Sequence, residues 1–349
     1  MPKRRLAELI WGAVIGAGLI GTQRATDFIS LGDNQIAYVC DPDPTRGNSL
    51  AQKINERQSS KCEYVEDVHR INNRRKIDLA FVAVPHHLAA RIVLELLKDD
   101  VNILVEKPMG LTIEEAGQIA TLAENSSAKV AVGFNYRHYP AVVRAKEIIS
   151  EGFIGKPLFL RMILGHGGRP GYEKEWKLSR AQCGGGALLD PGIHLLDLGR
   201  FFLGQLRPVQ SHLARLHWPI DVEDCAVAVL QGADGAEMYI QTSILEWQNS
   251  FSVHIVGDQG YLTIDGRMKN YGPQKLVYGK KWAWLERGSQ ADAVRTEDFG
   301  DKDTSFLRET ELVVRAVETG GSMPSDHHDG LESMKLIDQL YRLSTFGTA

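Results

Sequence analysis

The chain has 349 residues, 43% of them hydrophobic and 24% charged. That is an ordinary globular composition and enough length for about two domains of roughly 150 residues each. The formal net charge of −4 speaks against a bulk nucleic-acid binder. The basic start Lys3-Arg4-Arg5 leads only into Leu6–Ile10, interrupted by Glu8, which is too short for a signal-peptide core. No apolar run approaches the ~18 residues of a membrane span. Cys40, Cys62, Cys183 and Cys225 are scattered, with no C-x-x-C spacing. Reduced thiols, no metal and a cytoplasmic location are therefore expected.

Trp11–Ile15 reads as a strand that runs into Gly16-Ala17-Gly18-Leu19-Ile20-Gly21. A helix pattern follows, with Leu19, Ile20, Ala25, Phe28 and Ile29 expected to face inward. A glycine triplet of this spacing is a weak signal alone. Here a strand precedes it, a helix follows, and the second strand, Ile36–Cys40, ends in Asp41. In that context Gly16 permits the tight turn, Gly18 lets the backbone approach a pyrophosphate, and Gly21 lets helix and strand pack closely. The turn through Leu19 and Ile20 would present helix N–H groups to the phosphates. Asp41 would accept hydrogen bonds from the adenosine ribose and repel a 2′-phosphate, favouring NAD over NADP. The plain alternative is that Asp41 only opens the turn Asp41-Pro42-Asp43-Pro44. Arg46, just beyond, meets a 2′-phosphate if the loop reverses. A polar helix is expected over about Thr45–Arg57.

Ile77–Val84 is almost wholly apolar, as suits a strand covered on both faces. Val84-Pro85-His86-His87 would end it as a loop, with Val84 and His86 lining the nicotinamide side. Histidines in such a place are otherwise surface or capping residues. After a helix at Leu88–Leu97, Asn102–Pro108 (N-I-L-V-E-K-P) reads as a buried parallel strand stopped by Pro108. Glu106 and Lys107 then sit where open α/β sheets bind ligands. Thr112-x-x-Glu115 is a capping box, and Lys129–Phe134 is a further strand. This alternation predicts a doubly wound parallel sheet, with residues 1–134 as a dinucleotide-binding Rossmann domain.

Residues 135–349 read differently. A helix at about Ala141–Ser150 precedes strand-like runs at Pro157–Leu164, Val209–Leu216, Asp224–Leu230, Glu237–Leu245, Phe251–Val256 and Tyr261–Ile264. Tight turns between them imply a largely antiparallel sheet in an α+β domain that binds substrate and forms oligomers. Helices are expected at Pro191–Leu203, Ser305–Glu318 and Gly330–Ser344, with His327-His328 as a turn. Gln274–Asp303 has no clear period and stays unassigned.

In Gly184-Gly185-Gly186-Ala187-Leu188-Leu189-Asp190-Pro191-Gly192-Ile193-His194, Pro191 suits a first helical position and Asp190 its N-cap. His194 then lies on the same face of the first turn. Asp197 would orient it or satisfy a neighbour. The glycines would leave room for a bulky polar ligand, or form a mobile linker. Oxidising an alcohol requires a hydride acceptor, a proton acceptor and a donor to the developing oxyanion. Lys107, Asp190 and His194 supply the last two types, and nothing in the chain has metal-ligand spacing.

Gly16–Gly21, Asp41, Glu106-Lys107-Pro108, Gly133-Phe134-Asn135-Tyr136-Arg137 and Gly184–His194 together resemble the Gfo/Idh/MocA oxidoreductases. That group includes inositol dehydrogenases, glucose–fructose oxidoreductase and many nucleotide-sugar dehydrogenases. The resemblance spans nearly the whole chain. It implies that Lys107 bonds the substrate hydroxyl near the nicotinamide, that His194 accepts the proton, and that Asp190 orients the substrate or tunes His194. Glu106 would fix the cofactor-side loop, and the sheet of the second domain would pair subunits into dimers or tetramers. One departure is Pro85-His86-His87-Leu88-Ala89, where many members carry P-N-x-x-H. Gly165–Trp176 resembles a subset tied to sugar metabolism. There Trp176 would stack on a sugar ring and Arg169 or Arg180 would meet an anionic group, with Asn135 a further substrate contact. Beside the dehydrogenase reading stand an NAD-dependent glycosidase of the same family and a non-catalytic dinucleotide sensor. The latter tends to lose the lysine and histidine kept here.

Overall fold

A computed structural model describes residues 9–71, 76–282 and 294–346. The basic start Lys3-Arg4-Arg5 lies outside the described residues. The chain forms two compact units. One comprises residues through Phe134 together with Phe306–Met334, and the other Asn135–Ser305 with residues from Lys335 on.

The first unit alternates β1 (Trp11–Ile15), α1 (Leu19–Ile29), β2 (Gln35–Cys40), α2 (Pro44–Asn55), β3 (Glu63–Val65), β4 (Leu79–Val82), α3 (His86–Lys98), β5 (Asn102–Glu106), α4 (Ile113–Glu124) and β6 (Val130–Gly133). The strands lie in the order β3-β2-β1-β4-β5-β6, all parallel, which is the Rossmann order. Leu79, Phe81, Ile103, Leu104 and Val132 are fully buried or nearly so, because a parallel sheet is covered on both faces. Phe28 of α1 meets Phe81 edge to face at 5.2 Å. Helical residues 306–319 return to this core through Val313 and Val314. The chain beyond them closes the β6 edge: the Val132 N–H donates to the Ser325 carbonyl at 2.9 Å and the Ser325 hydroxyl to the Val132 carbonyl at 2.6 Å, pairing groups that an edge strand leaves open.

The second unit contains α5 (Pro140–Ser150), β7 (Pro157–Gly165), α6 (Arg180–Cys183), α7 (Ile193–Leu203), β8 (Leu206–Ala214), β9 (Cys225–Gly232), β10 (Glu237–Ser243), β11 (Ser250–Gly257), β12 (Gly260–Asp265), β13 (Lys275–Lys280) and β14 (Val294–Asp298). α8 (Ser305–Thr319) and α9 (His327–Leu343) complete the chain. The sheet order is β14-β13-β12-β11-β7-β10-β9-β8, antiparallel except for the parallel pair β7–β10. Phe251, Val253 and Ile255 alternate inward along β11, as a sheet covered on one face requires, and α5 and α7 lie against this sheet. Outward residues include Phe159, flanked edge-on by Tyr239 at 6.4 Å and His254 at 5.7 Å.

Several boundaries differ from the sequence reading. α3 starts at His86, so His86 and His87 are helical residues and not a loop. α7 starts at Ile193, preceded by Gly192, so Asp190 is not its N-cap. α9 starts at His327, so His327-His328 is its first turn and not a loop before it. There His327 and His328 bring ligand-capable atoms within 4.8 Å of Glu124. β13 and β14 fill part of the stretch left unassigned, and residues 283–293 of it lie outside the described residues. Leu19, expected to face inward, is 86% exposed because it opens α1 beside the glycine turn. Among the described residues no helix is long and apolar enough to cross a membrane.

Candidate active site

The parallel sheet of the first unit carries its informative residues at one edge. Gly16 follows β1, Asp41 follows β2, Val84 follows β4 and Lys107 follows β5, so the carboxyl ends of neighbouring strands present them together. Gly16 has φ +98°, and a Cβ there would meet the Ala83 carbonyl oxygen at 2.3 Å. A Cβ on Gly21 would lie 1.9 Å from the Gly16 oxygen. Both glycines are required by packing. Gly18 differs, because a Cβ there meets nothing within 4 Å. Gly18 also precedes α1 with no side chain capping the helix. Open space over a glycine, beside an uncapped helix N-terminus, fits an anionic phosphate group. The arrangement fits a dinucleotide on those grounds.

Asp41 is 4% exposed. Its Oδ2 accepts the Ala17 N–H at 2.7 Å and its Oδ1 the Asp43 N–H at 2.9 Å. It therefore braces the glycine turn and also opens the Asp-Pro turn. Oδ2 keeps a second lone pair, whereas Oδ1 also faces the Arg46 guanidinium. Asp43 caps α2 through the N–H groups of Thr45 and Arg46. Arg46 sits 3.5 Å from Asp41 and 3.0 Å from Asp43. His86 is buried in the first turn of α3, while Val84 is half-buried.

Glu106 is held by a residue that no local pattern flags. Arg24, on the buried face of α1 and 1% exposed, reaches Glu106 at 2.7 Å and Glu309 at 2.5 Å. Its Nη1 also donates to the Thr310 hydroxyl at 3.3 Å. Glu309 and Glu106 hold the guanidinium above its ordinary range despite burial. The strand end that carries Lys107 is thus tied to α1 and to helical residues 306–319. Lys107 itself is half-buried just past β5.

In the second unit, His194 lies in the first turn of α7, buried, with its ring stacked on Tyr136 at 3.9 Å and 5°. Asp197, one turn on, accepts two bonds from Arg137 at 2.9 and 2.5 Å, so it satisfies a neighbour, one of the two roles the sequence allowed. Asp190 pairs with Lys177 at 3.0 Å, and that carboxylate raises the Lys177 ammonium above its usual range. The pair explains why Asp190 does not cap α7. Lys177 was not legible in the sequence, since it and Asp190 are joined by irregular chain with no period to couple them.

At Gly185 and Gly186 the glycine run is closely packed and leaves no open space. A Cβ on Gly185 would lie 2.1 Å from the Tyr341 hydroxyl, and one on Gly186 1.9 Å from the Glu223 carbonyl oxygen. The buried Glu223 carboxylate accepts the Gly186 N–H at 3.1 Å, the Leu188 N–H at 2.9 Å and the Tyr341 hydroxyl at 2.7 Å. Gly185 and Gly186 permit close packing of the chain leading to Asp190, and Gly184 takes the left-handed φ of +93° that ends α6.

Residues 165–180 form 3₁₀ turns at Tyr172–Lys174 and Trp176–Leu178. Tyr172 and Leu178 join a small apolar cluster with Ile220, Val222 and Ile244. Trp176 is half-buried. Arg169 is engaged by Glu175 at 2.6 Å, and Arg180 donates to the Asp221 carbonyl at 3.1 Å. Asn135 is buried and donates to the Ser305 hydroxyl at 2.8 Å. None of the three has its polar group idle.

A family model described as "Oxidoreductase family, NAD-binding Rossmann fold" matches residues 11–134, and one described as "GFO/IDH/MocA C-terminal domain" matches residues 142–263. The chain belongs to the Gfo/Idh/MocA oxidoreductase family. Its residues 11–134 thus carry an NAD-binding Rossmann fold. Within this family it is similar to a levoglucosan dehydrogenase of Pseudarthrobacter phenanthrenivorans, 29% identical over 185 residues, or 46% of this chain and 47% of the relative. The chain thus spans about half the length of that relative. A 2,7-anhydro-N-acetylneuraminate hydratase of Mediterraneibacter gnavus is 25% identical over 295 residues, 80% of this chain and 73% of the relative. A solved structure of levoglucosan dehydrogenase in complex with NADH and levoglucosan shares the fold, with a TM-score of 0.84 at 20% identity over 96% of this chain and 97% of that one.

Proposed function

We propose that this Gfo/Idh/MocA member oxidises a hydroxyl carbon of a sugar, cyclitol or nucleotide sugar, or reduces the matching ketone, with Lys107, Asp190 and His194 as catalytic residues. The observation that carries this reading is the rigid setting of the acid–base pair. His194 is stacked flat on Tyr136, and Asp190, four residues earlier, is ion-paired with Lys177 on a chain locked by Glu223. Gly16, Gly18, Leu19, Ile20, Gly21 and Asp41 would hold a dinucleotide, with Val84, His86 and Glu106 on its nicotinamide side, and the nicotinamide would serve as the hydride acceptor. His194 takes the hydroxyl proton at an imidazole nitrogen, and Tyr136 fixes the plane of that ring. Lys107 donates a hydrogen bond to the oxygen as negative charge develops. Asp190 accepts from a neighbouring hydroxyl and orients the sugar. In reverse, His194 returns the proton. Asp41 supports NAD over NADP, because a carboxylate disfavours a 2′-phosphate.

NADH formation, followed by absorbance over a panel of sugars, inositols and nucleotide sugars, tests this reading. Turnover of at least one hydroxyl compound is expected, and none across the panel contradicts it. The hydratase relative supports a second outcome, a redox-neutral reaction in which NAD is retained and no NADH accumulates. The NAD-dependent glycosidase reading belongs to the same class. Product formation without NADH would select it. We also place subunit pairing on the outer face of the eight-stranded sheet, where Val209, Val227 and Tyr239 are 45%, 43% and 41% exposed.

A further inference from the structure

We infer that the substrate carries an anionic group and that Arg267 binds it, an inference that rests on the sugar-oxidising reading above. Arg267 follows β12, half-buried. Its guanidinium lies 4.8 Å from the Tyr136 ring centroid and 4.0 Å from that of Tyr271, and its Nη1 donates to the Tyr139 hydroxyl at 2.9 Å. Its Nε is out of solvent and has no hydrogen-bond partner. Among the described residues no carboxylate lies within 4.0 Å of it. Ring faces attract a guanidinium but do not neutralise it. A cation withdrawn from water is ordinarily paired.

His194 is stacked on Tyr136, the same ring that Arg267 overlies. Asp190, the nearby carboxylate, is already paired with Lys177. Burial pushes the half-buried His166 imidazole down; Asp190 opposes that, while Lys177, Arg267 and Arg169 add to it, which puts these charges in one neighbourhood. Lys177 and Arg267 are two cations against one acid. The sequence pointed to Arg169 or Arg180 for an anion, but these are engaged by Glu175 and Asp221. Arg267 is the cation left over, and its planar fork suits a carboxylate or phosphate. The ligand class is therefore an acidic sugar, with the charged group at the Arg267 end and the reacting hydroxyl at the His194 end.

The test is calorimetric titration of the NADH-loaded full chain with D-glucose, D-glucuronate and glucose 6-phosphate, and with D-galactose and D-galacturonate. At least one acidic sugar should bind tighter than its neutral counterpart by about tenfold or more. Arg267→Gln should remove that preference, leaving neutral-sugar and NADH affinities unchanged. Arg267→Lys, which keeps the charge, should retain part of it and serves if the glutamine variant fails to fold. The uronates and the phosphate separate the two anion types. Equal or tighter binding of the neutral sugars, no acidic sugar bound at about 10 mM, an unchanged preference in Arg267→Gln, or lost NADH affinity instead would each overturn the inference. Turnover of neutral sugars without acid preference would sink it and leave the dehydrogenase reading standing. Acidic sugars bound but never oxidised would do the reverse.

Discussion

Gly18 and Gly21 lie in one turn and are glycines for opposite reasons. At Gly21 a Cβ would lie 1.9 Å from a backbone oxygen, whereas at Gly18 it meets nothing. Gly21→Ala should therefore lower stability by about 1–3 kcal/mol, as overpacking does. Gly18→Ala, at an ordinary φ of −75°, should leave the melting temperature unchanged but weaken NADH binding at least about tenfold. Fluorescence titration of NADH with both variants checks the pair, and full NADH affinity in Gly18→Ala would remove the pyrophosphate assignment. A different cost attaches to Arg24. Removing it leaves the buried Glu309 and the half-buried Glu106 facing each other's charge, so Arg24→Met should lose about 3–5 kcal/mol in denaturant unfolding. Glycine spacing, Asp41, Lys107 and His194 were legible because each belongs to a local motif. Arg24, Lys177 and Arg267 were not, because each finds its partners through the fold at separations no period encodes.

Most strands are legible where burial is one-sided or complete, since alternation and apolar runs follow from which faces are covered; β13, with Leu276 and Tyr278 buried, is an exception that the sequence left unassigned. β3 is too short to alternate, and β14 is mostly exposed, so neither left a pattern. Helix starts were less legible. Asp190-Pro191 looked like a cap, yet Lys177 takes the carboxylate and α7 begins at Ile193. The capping box at Thr112 is half-formed in a similar way: Thr112 accepts from Glu115, but Glu115 reaches the Leu111 N–H at 2.7 Å. The glycine run before α7 carries a pH prediction. Burial raises the Glu223 carboxyl above its ordinary value, against the opposing hydrogen bonds from Tyr341, Leu188 and Gly186. A raised folded value means the native state binds the proton more tightly than the unfolded chain. This contribution is fully present below the ordinary glutamate value of 4.5 and is lost as pH rises through the raised value. Glu223→Gln should flatten that decline in urea midpoints measured between about pH 5 and 8. An unaltered slope would show that Glu223 is not its source.

For the whole chain, the alternating first third and the turn-linked strands after it were sufficient to read both folds. What the sequence did not show is that residues 306–334 belong with the parallel sheet, because a helix's amphipathic stripe does not name the surface it covers. The outer face of the eight-stranded sheet carries a self-association prediction. The wild type should sediment as an oligomer, and Tyr239→Glu combined with Val227→Glu should shift it toward monomer in sedimentation velocity; a wild-type monomer would contradict that face as an interface.

We propose that Lys107 and His194 perform oxyanion and proton chemistry on a sugar hydroxyl. The most direct test is turnover of Lys107→Ala and His194→Ala on the panel compound with the highest wild-type kcat/KM, alongside NADH affinity for each variant. Each variant should lose about 10²–10⁴-fold in turnover, with NADH affinity preserved in His194→Ala. Wild-type turnover in either variant would contradict it.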